Sequence, residues 1–266
     1  IGVANPIGPV GTQPLVDNVS ATGIEAGYQT MDVLAAIVFG YVILKSAREK
    51  GHKEPSAQLR VVSGASAVAG VGLLVVYLGL TYLGATTARF FDLTVNRTYL
   101  VVSIVRNLMG TWGILLFSIV VALACVTTAV GLVSASADFF SGLSRGRISY
   151  PAAVCAICVF SAVVSNFGLN EIIAIASPIL SVVYPPTLVL IVLALFGPRI
   201  RQEWVVRLSA LGALAVSLLD VLRTYTAVEI PLLDALPFAS LGFGWLLPAV
   251  VCGAVGMLIS HRTAVS

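Results

Sequence analysis

Long apolar segments alternate with short polar ones along the whole chain. A bilayer core about 30 Å thick is crossed by roughly 20 apolar residues of helix, and seven segments approach or exceed that length. None of them shows the period-two alternation that is typical of membrane β-barrel strands. The pattern therefore predicts an all-α integral membrane protein with about seven transmembrane helices, at about 15–44, 61–86, 111–137, 150–166, 171–197, 208–224 and 239–260.

The composition excludes the main classes of soluble protein. Of the 266 residues, 58% are hydrophobic and 10% are charged, whereas a soluble domain carries about 25% charged residues. The net charge of +3 is too small and too dispersed for nucleic-acid binding, which needs clustered basic residues. We therefore expect the lipid bilayer as surroundings, no nucleic acid as partner, and a single membrane domain over residues 1–266.

The distribution of lysine and arginine predicts the orientation in the membrane. If the seven segments alternate in direction, eleven of the fifteen Lys and Arg residues fall on one side. The positive-inside rule assigns that side to the cytoplasm. This predicts a basic cytoplasmic loop at 45–60, an external N-terminus and a cytoplasmic C-terminus.

The first apolar segment, 15–44, is long for a simple span and polar in its middle. Glu25, Gln29 and Asp32 are costly inside a membrane unless they face a cavity, a partner or a ligand. A kinked helix with a polar contact to another helix would satisfy this requirement. The other interpretation is a broken helix, whose free backbone N–H and C=O groups bind zwitterions and cations in secondary transporters.

The residue types in this segment indicate where a break would lie. Gly27 suits the end of a first half-helix, and Thr30 suits the N-cap of a second one. Asp32 then lies in the first turn of the second half-helix, where the helix dipole favours a carboxylate. We therefore predict two half-helices separated near 27–30, with Asp32 either capping the second or contributing to a binding site.

Two adjacent hydroxyl groups, on Thr127 and Thr128, lie in the third apolar segment. Threonine in membrane helices often donates a hydrogen bond to a carbonyl one turn back. Alternatively, the hydroxyl oxygens and the carbonyl of Ala124 offer oxygen ligands to a hard cation such as Na⁺. The last two segments, 208–224 and 239–260, show no comparable signal and are interpreted as scaffold.

Four motifs together resemble one family. They are Gly27-Tyr-Gln-Thr-Met-Asp32, Val126-Thr-Thr-Ala-Val-Gly-Leu132, Val164-Ser-Asn-Phe-Gly-Leu169 and Pro178-Ile-Leu-Ser-Val-Val-Tyr-Pro-Pro186. Their order and spacing are similar to those of the bacterial branched-chain amino acid:cation symporters, the LIV-II carriers. That family imports leucine, isoleucine and valine.

The resemblance implies a fold and a set of site residues. The family is similar to the amino acid–polyamine–organocation superfamily, whose twelve helices contain a five-plus-five inverted repeat and whose sixth helix is discontinuous. The present chain would be the second half of such a transporter, beginning with that broken helix. The substrate-binding residues carried over are Gly27, Tyr28, Gln29, Thr30 and Asp32; the cation-binding residues carried over are Ala124, Thr127 and Thr128.

The chain begins as the middle of a loop would, without an initiator Met or a signal peptide. We therefore expect it to be the C-terminal half to two-thirds of a longer transporter, with the missing N-terminal half as its partner. No cofactor is expected, and the coupling ion is Na⁺ or H⁺. The predicted function is secondary active import of branched-chain amino acids across the bacterial plasma membrane.

Other classes of protein fit the sequence less well. A non-functional or partner-dependent transporter fragment is the main alternative. A seven-helix retinal protein needs a lysine inside a span, but Lys45, Lys50 and Lys53 lie at or beyond a helix end, and a receptor has no positive support. An intramembrane enzyme is disfavoured because His52 and His261 lie outside the predicted spans.

Overall fold

The structure is a computed structural model that describes residues 6–8, 16–87, 97–196, 202–226 and 230–265. Among these residues, helices are the only regular elements. Two 3₁₀ turns, Ser165–Phe167 and Ala239–Leu241, accompany the α-helices. The α-helices are α1 Val19–Gln29, α2 Asp32–Glu49, α3 Pro55–Thr87, α4 Arg97–Leu143, α5 Tyr150–Val164, α6 Leu169–Leu195, α7 Glu203–Thr226, α8 Pro231–Asp234 and α9 Leu246–Val265.

Six described helical segments are long and apolar enough to cross a membrane, with α1 and α2 counted together as Val19–Glu49. They correspond to the first six predicted segments. The predicted seventh segment, 239–260, yields a shorter apolar helix at Leu246–Ser260. It is shorter because its first residues form a 3₁₀ turn flanked by left-handed backbone at Phe238 and Gly242.

Helix α4 begins well before the predicted segment 111–137. Residues 97–109 are helical, and Gly110 then leaves the helical region with φ 64° and ψ −156°. A positive φ costs glycine little because it has no Cβ. The additional helical stretch was not predicted because Arg97, Arg106 and Asn107 interrupt its apolar pattern.

The basic segment 45–60 consists mainly of helix ends. Helix α2 continues to Glu49, and α3 begins at Pro55, a residue that suits the first position of a helix. The linking residues are held by Gln58, whose side-chain amide donates to the carbonyls of His52 (2.9 Å) and Lys53 (3.2 Å).

The structure divides into two packed units, the first comprising Ile1–Asp17 and Ile37–Cys158 and the second comprising Asn18–Ala36 and Val159–Ser266. In the first unit, the Phe39 ring of α2 lies against Gly131 of α4. An ion pair between Lys45 and Asp138 joins the same two helices closer to their C-terminal ends. Many apolar side chains of α3 and α4 are exposed, as suits contact with lipid tails.

In the second unit, small residues bring α7 and α9 into close contact. A Cβ atom added to Gly256 would lie 2.7 Å from the Trp204 carbonyl oxygen and 2.7 Å from the Val205 Cα. One added to Gly212 would lie 2.9 Å from the Cys252 sulfur. Such stretches of small residues allow membrane helices to pack backbone against backbone.

Candidate functional site

The first membrane segment is broken, as predicted. Helix α1 ends at Gln29 and α2 begins at Asp32. Met31, between them, has a left-handed backbone with φ 54°. The Met31 N–H donates to the Tyr28 carbonyl at 3.2 Å. The break therefore lies at the C-terminal edge of the predicted interval 27–30.

Thr30 has a different role from the predicted one. Its hydroxyl donates to the Gly27 carbonyl at 2.8 Å, and its N–H is directed at the same oxygen at 3.4 Å. Thr30 is thus the C-cap of α1, and its predicted role as N-cap of α2 is wrong. The physical reason is that the left-handed Met31, which separates Thr30 from α2, turns the chain after Thr30 has closed the first half-helix.

Tyr28 is held by aromatic side chains from elsewhere in the second unit. The Trp245 indole N–H donates to the Tyr28 hydroxyl oxygen at 3.1 Å. The rings of Tyr184 and Phe243 meet the Tyr28 ring edge-on, with centroid distances of 4.9 and 4.8 Å. Gly242 also lies beside the Tyr28 ring, where an added Cβ would make ordinary contact at 3.7 Å.

A cavity of about 410 Å³ lies in the second unit beside the end of α1. Four side chains of the broken helix reach it: Glu25, Tyr28, Gln29 and Met31. Its remaining wall comes from α6, α7, α8 and the segment between α8 and α9, with Ser181, Pro185, Val216, Ser217, Asp220, Arg223, Leu233, Leu236, Ala239, Gly242, Gly244 and Trp245.

The polar groups of this cavity carry both signs of charge. The Gln29 amide donates to the Glu25 carboxylate at 3.1 Å. Asp220 and Arg223 lie three residues apart on α7, so the two side chains share one face of that helix. The Ser217 hydroxyl is already bonded to the Val182 carbonyl at 3.0 Å. The cavity thus offers carboxylates, a guanidinium and an amide, together with apolar wall.

Of the other predicted substrate-binding residues, Asp32 lies in the first turn of α2. Its carboxylate is close enough to Tyr184 to interact with it electrostatically. Gly27 contributes its carbonyl to the cap of α1. The structure therefore gathers Tyr28 and Gln29 at the cavity, while Gly27, Thr30 and Asp32 form the break next to it.

The predicted cation-binding residues lie on α4, in the first unit. The Thr127 hydroxyl donates to the carbonyls of Leu123 and Ala124, both at 3.0 Å. Ala124, Thr127 and Thr128 are exposed on this helix. Gly131, one turn further on, is the residue against which the Phe39 ring lies. Among the described residues, no cluster of three or more His, Cys, Asp or Glu side chains could hold a metal ion.

Sequence reasoning missed most of the cavity wall. Trp245, Asp220 and Arg223 belong to the segments interpreted as scaffold, and the structure places all three in the cavity wall. A signal was present, since ionisable residues within a membrane segment are rare unless they have a function. No pattern in the sequence indicated that Trp245 would bond to Tyr28.

The chain matches a family model described as "Branched-chain amino acid transport protein" over residues 2–263. The chain belongs to this family. The match confirms the predicted family, whose description is that of a transport protein and not of an enzyme. Together with the apolar helices, it indicates a multi-pass protein of a bacterial membrane.

Individual relatives have names that agree with the family. The chain is 36% identical to the branched-chain amino acid transport system 3 carrier protein of Pseudomonas aeruginosa, over 96% of the chain and 59% of the relative. It is 33% identical to the branched-chain amino acid permease BraB of Bacillus subtilis, over 90% of the chain and 54% of the relative. It is 35% identical to the branched-chain amino acid permease BrnQ of Escherichia coli, over 87% of the chain and 53% of the relative.

The chain therefore spans between 53% and 59% of the length of these three relatives. No solved structure matches the chain significantly.

Proposed function

We propose that the protein is a secondary active transporter that imports leucine, isoleucine and valine across the bacterial plasma membrane, coupled to Na⁺ or H⁺. Its family and the names of its relatives support this substrate class. In this proposal the chain contributes the second half of a twelve-helix, inverted-repeat transporter, with its C-terminus in the cytoplasm. The excess of Lys and Arg on one predicted side supports that orientation.

The observation that carries the proposal is the broken helix beside the polar cavity. At the break between Gln29 and Asp32, the first N–H groups of α2 have no carbonyl four residues earlier in their own helix, and of these the Leu34 N–H donates to the Met31 carbonyl at 3.2 Å. Such N–H groups at a helix N-terminus attract a carboxylate. The Glu25 and Asp220 carboxylates of the adjoining cavity suit an ammonium group. An α-amino acid carries both of these charged groups.

The apolar part of the cavity suits a branched aliphatic side chain. Met31, Val216, Leu233 and Leu236 lie in its wall. A single methylene group changes binding in an apolar pocket by about 1–3 kcal/mol. We therefore expect leucine, isoleucine and valine to compete with one another and to bind with similar affinities. A charged amino acid should bind much more weakly than any of the three.

For the coupling ion, we propose Na⁺ at Thr127, Thr128 and the Ala124 carbonyl, with H⁺ as the alternative. The Thr127 hydroxyl donates its hydrogen to two main-chain carbonyls, so its oxygen lone pairs are available to a cation. Further oxygen ligands must come from other parts of the transporter. If H⁺ is the coupling ion, Glu25 or Asp32 is the candidate carrier.

Labelled leucine uptake by vesicles made from membranes that contain the native protein tests the proposal. Uptake should rise when an inward Na⁺ or H⁺ gradient is imposed, collapse when an ionophore for that ion is added, and fall when excess unlabelled isoleucine is present. Vesicles from cells that lack the protein are the control. Leucine uptake that no gradient drives, or that isoleucine does not suppress, would contradict the proposal.

A further inference from the structure

Tyr28 occupies a fixed position, because other residues of the second unit surround its ring. Trp245 and Tyr184 are both buried, with exposed fractions of 8% and 5%. Tyr184 comes from α6, while Phe243 and Trp245 immediately precede α9. The hydrogen bond from Trp245 and the two edge-on ring contacts act on Tyr28 together. The phenol group therefore has little freedom to turn away from the cavity that it lines.

The hydrogen bond between Trp245 and Tyr28 has a defined direction. An indole N–H can only donate, whereas a phenol hydroxyl can both donate and accept. The Tyr28 oxygen must therefore accept from Trp245, which leaves its own O–H available to another acceptor. Among the described residues, none accepts a hydrogen bond from the Tyr28 hydroxyl. A hydroxyl that accepts one hydrogen bond is also a better donor in the next.

The available O–H belongs to a residue that lines the cavity of about 410 Å³. A ligand in that cavity which offers an oxygen acceptor can complete the hydrogen bonding of Tyr28. The aliphatic side chain of a branched-chain amino acid offers no acceptor, whereas its α-carboxylate offers two oxygens.

We propose that Trp245 is a positioning residue for substrate recognition. Its indole N–H keeps the Tyr28 hydroxyl in place as a donor to the α-carboxylate of the transported amino acid. This inference rests on the proposed function, and it assigns the carboxylate end of the substrate to the cavity side of the broken helix. Trp245 itself acts through Tyr28 and not through contact with the substrate.

The test compares leucine with leucinol, in which an alcohol replaces the carboxylate, using the native protein in membrane vesicles. Trp245→Phe removes the indole donor and keeps an aromatic ring. Tyr28→Phe removes the hydroxyl and keeps the ring contacts. Trp204→Phe is the matched control, because Trp204 lies on α7 and outside the cavity. For each variant, the KM and maximal rate of leucine uptake and the inhibition constant of leucinol are measured.

Loss of a hydrogen bond to a charged group should raise the KM for leucine roughly tenfold in Tyr28→Phe. We expect a smaller rise, about three- to tenfold, in Trp245→Phe, because the hydroxyl remains but is no longer held. The maximal rate per folded molecule should change little in either variant. The leucinol inhibition constant should rise less than the leucine KM, because a neutral alcohol oxygen is a weaker acceptor than a carboxylate. The double variant Tyr28→Phe with Trp245→Phe should resemble Tyr28→Phe alone. The control Trp204→Phe should behave as the wild type.

Equal weakening of leucine and leucinol in Trp245→Phe would indicate a packing role and would overturn the inference. An unchanged leucine KM in Tyr28→Phe would also overturn it, and this variant stays informative if Trp245→Phe fails to fold. A wild-type protein that takes up leucine but shows either result rejects the inference alone. A wild-type protein without any gradient-driven leucine uptake rejects the proposed function, and the inference falls with it.

Discussion

The region around Tyr28 and the region around Thr127 both place polar side chains within apolar helices. The hydrogen-bond partners of these side chains, however, come from different parts of the chain. Tyr28 accepts its hydrogen bond from Trp245, a residue 217 positions away along the chain. Thr127 donates to carbonyls three and four positions away on its own helix. The first region depends on tertiary packing, whereas the second is satisfied by the helix itself.

This difference bears on how the two regions respond to substitution. The Tyr28 region draws residues from α1, α6, α7 and the segment before α9, so a change in the packing of those helices reaches the site. The Thr127 region is exposed on α4, so a change there should affect ligand binding more than folding.

A single substitution can disrupt the packing of α7 against α9. In Gly256→Ala, the new methyl group would meet main-chain atoms of α7 at 2.7 Å, which cannot move aside as a flexible side chain can. Overpacking of this kind costs roughly 1–3 kcal/mol. Thermal unfolding in detergent should show a lower midpoint for Gly256→Ala, accompanied by weaker leucine uptake.

Gly72→Ala on α3 is the matched control, because an added Cβ there meets nothing within 4 Å. It should leave the midpoint unchanged or raise it slightly, since alanine favours helix over glycine. If Gly256→Ala were as stable as Gly72→Ala, close packing of α7 and α9 would not support the Tyr28 region.

The Thr127 region can be tested without disturbing the fold. If Thr128 contributes an oxygen to a Na⁺ site, Thr128→Ala should raise the Na⁺ concentration for half-maximal leucine uptake about tenfold, the effect of about 1.4 kcal/mol. The unfolding midpoint should stay near that of the wild type. Ser118→Ala is the control, because Ser118 also lies on α4 and donates to a carbonyl one turn back, that of Ile114 at 2.8 Å.

An unchanged Na⁺ dependence in Thr128→Ala would remove this residue from the cation site. If uptake instead depends on H⁺ alone, Thr128→Ala and Ser118→Ala should be indistinguishable. That result would leave the Thr127 region as a purely structural feature of α4.

Substitutions at Met31 can increase or relieve the backbone strain at the break between α1 and α2. A residue other than glycine in the left-handed region costs about 1–2 kcal/mol, and β-branched residues fit there worst. Met31→Gly should therefore be tolerated or slightly stabilising, by up to about 1 kcal/mol, whereas Met31→Val should be destabilising. Denaturation of the two variants in parallel measures the difference, and equal stability would argue against a left-handed residue at this position.

The smallest effect is expected from the ion pair between Lys45 and Asp138 in the first unit. Lys45→Gln should lower stability by at most about 1 kcal/mol, because the lysine side chain is 42% exposed and solvent screens the pair. The exchanged double variant Lys45→Asp with Asp138→Lys should recover most of the loss. Failure of the exchange to recover stability would show that the two charges act independently of each other.

Much of this fold follows from local sequence features. The apolar stretch 61–86 predicts α3 because burying that many apolar residues in lipid requires a helix with all of its main-chain groups bonded. The break near 27–30 was predictable because Glu25, Gln29 and Asp32 interrupt an otherwise apolar segment. The helix at 97–109 was missed because charged residues hid its pattern, although helix formation does not require an apolar face.

Hydropathy and motifs along the chain were enough to predict an all-helical membrane protein, its family, and the two places where polar groups enter apolar helices. The packing of the helices was needed to show that Thr30 closes the first half-helix, that Asp220 and Arg223 line a cavity, and that Trp245 holds Tyr28. Hydropathy acts on each segment separately, so it can be interpreted along the chain. The choice of a partner 217 positions away depends on how whole helices pack, and no local pattern encodes it.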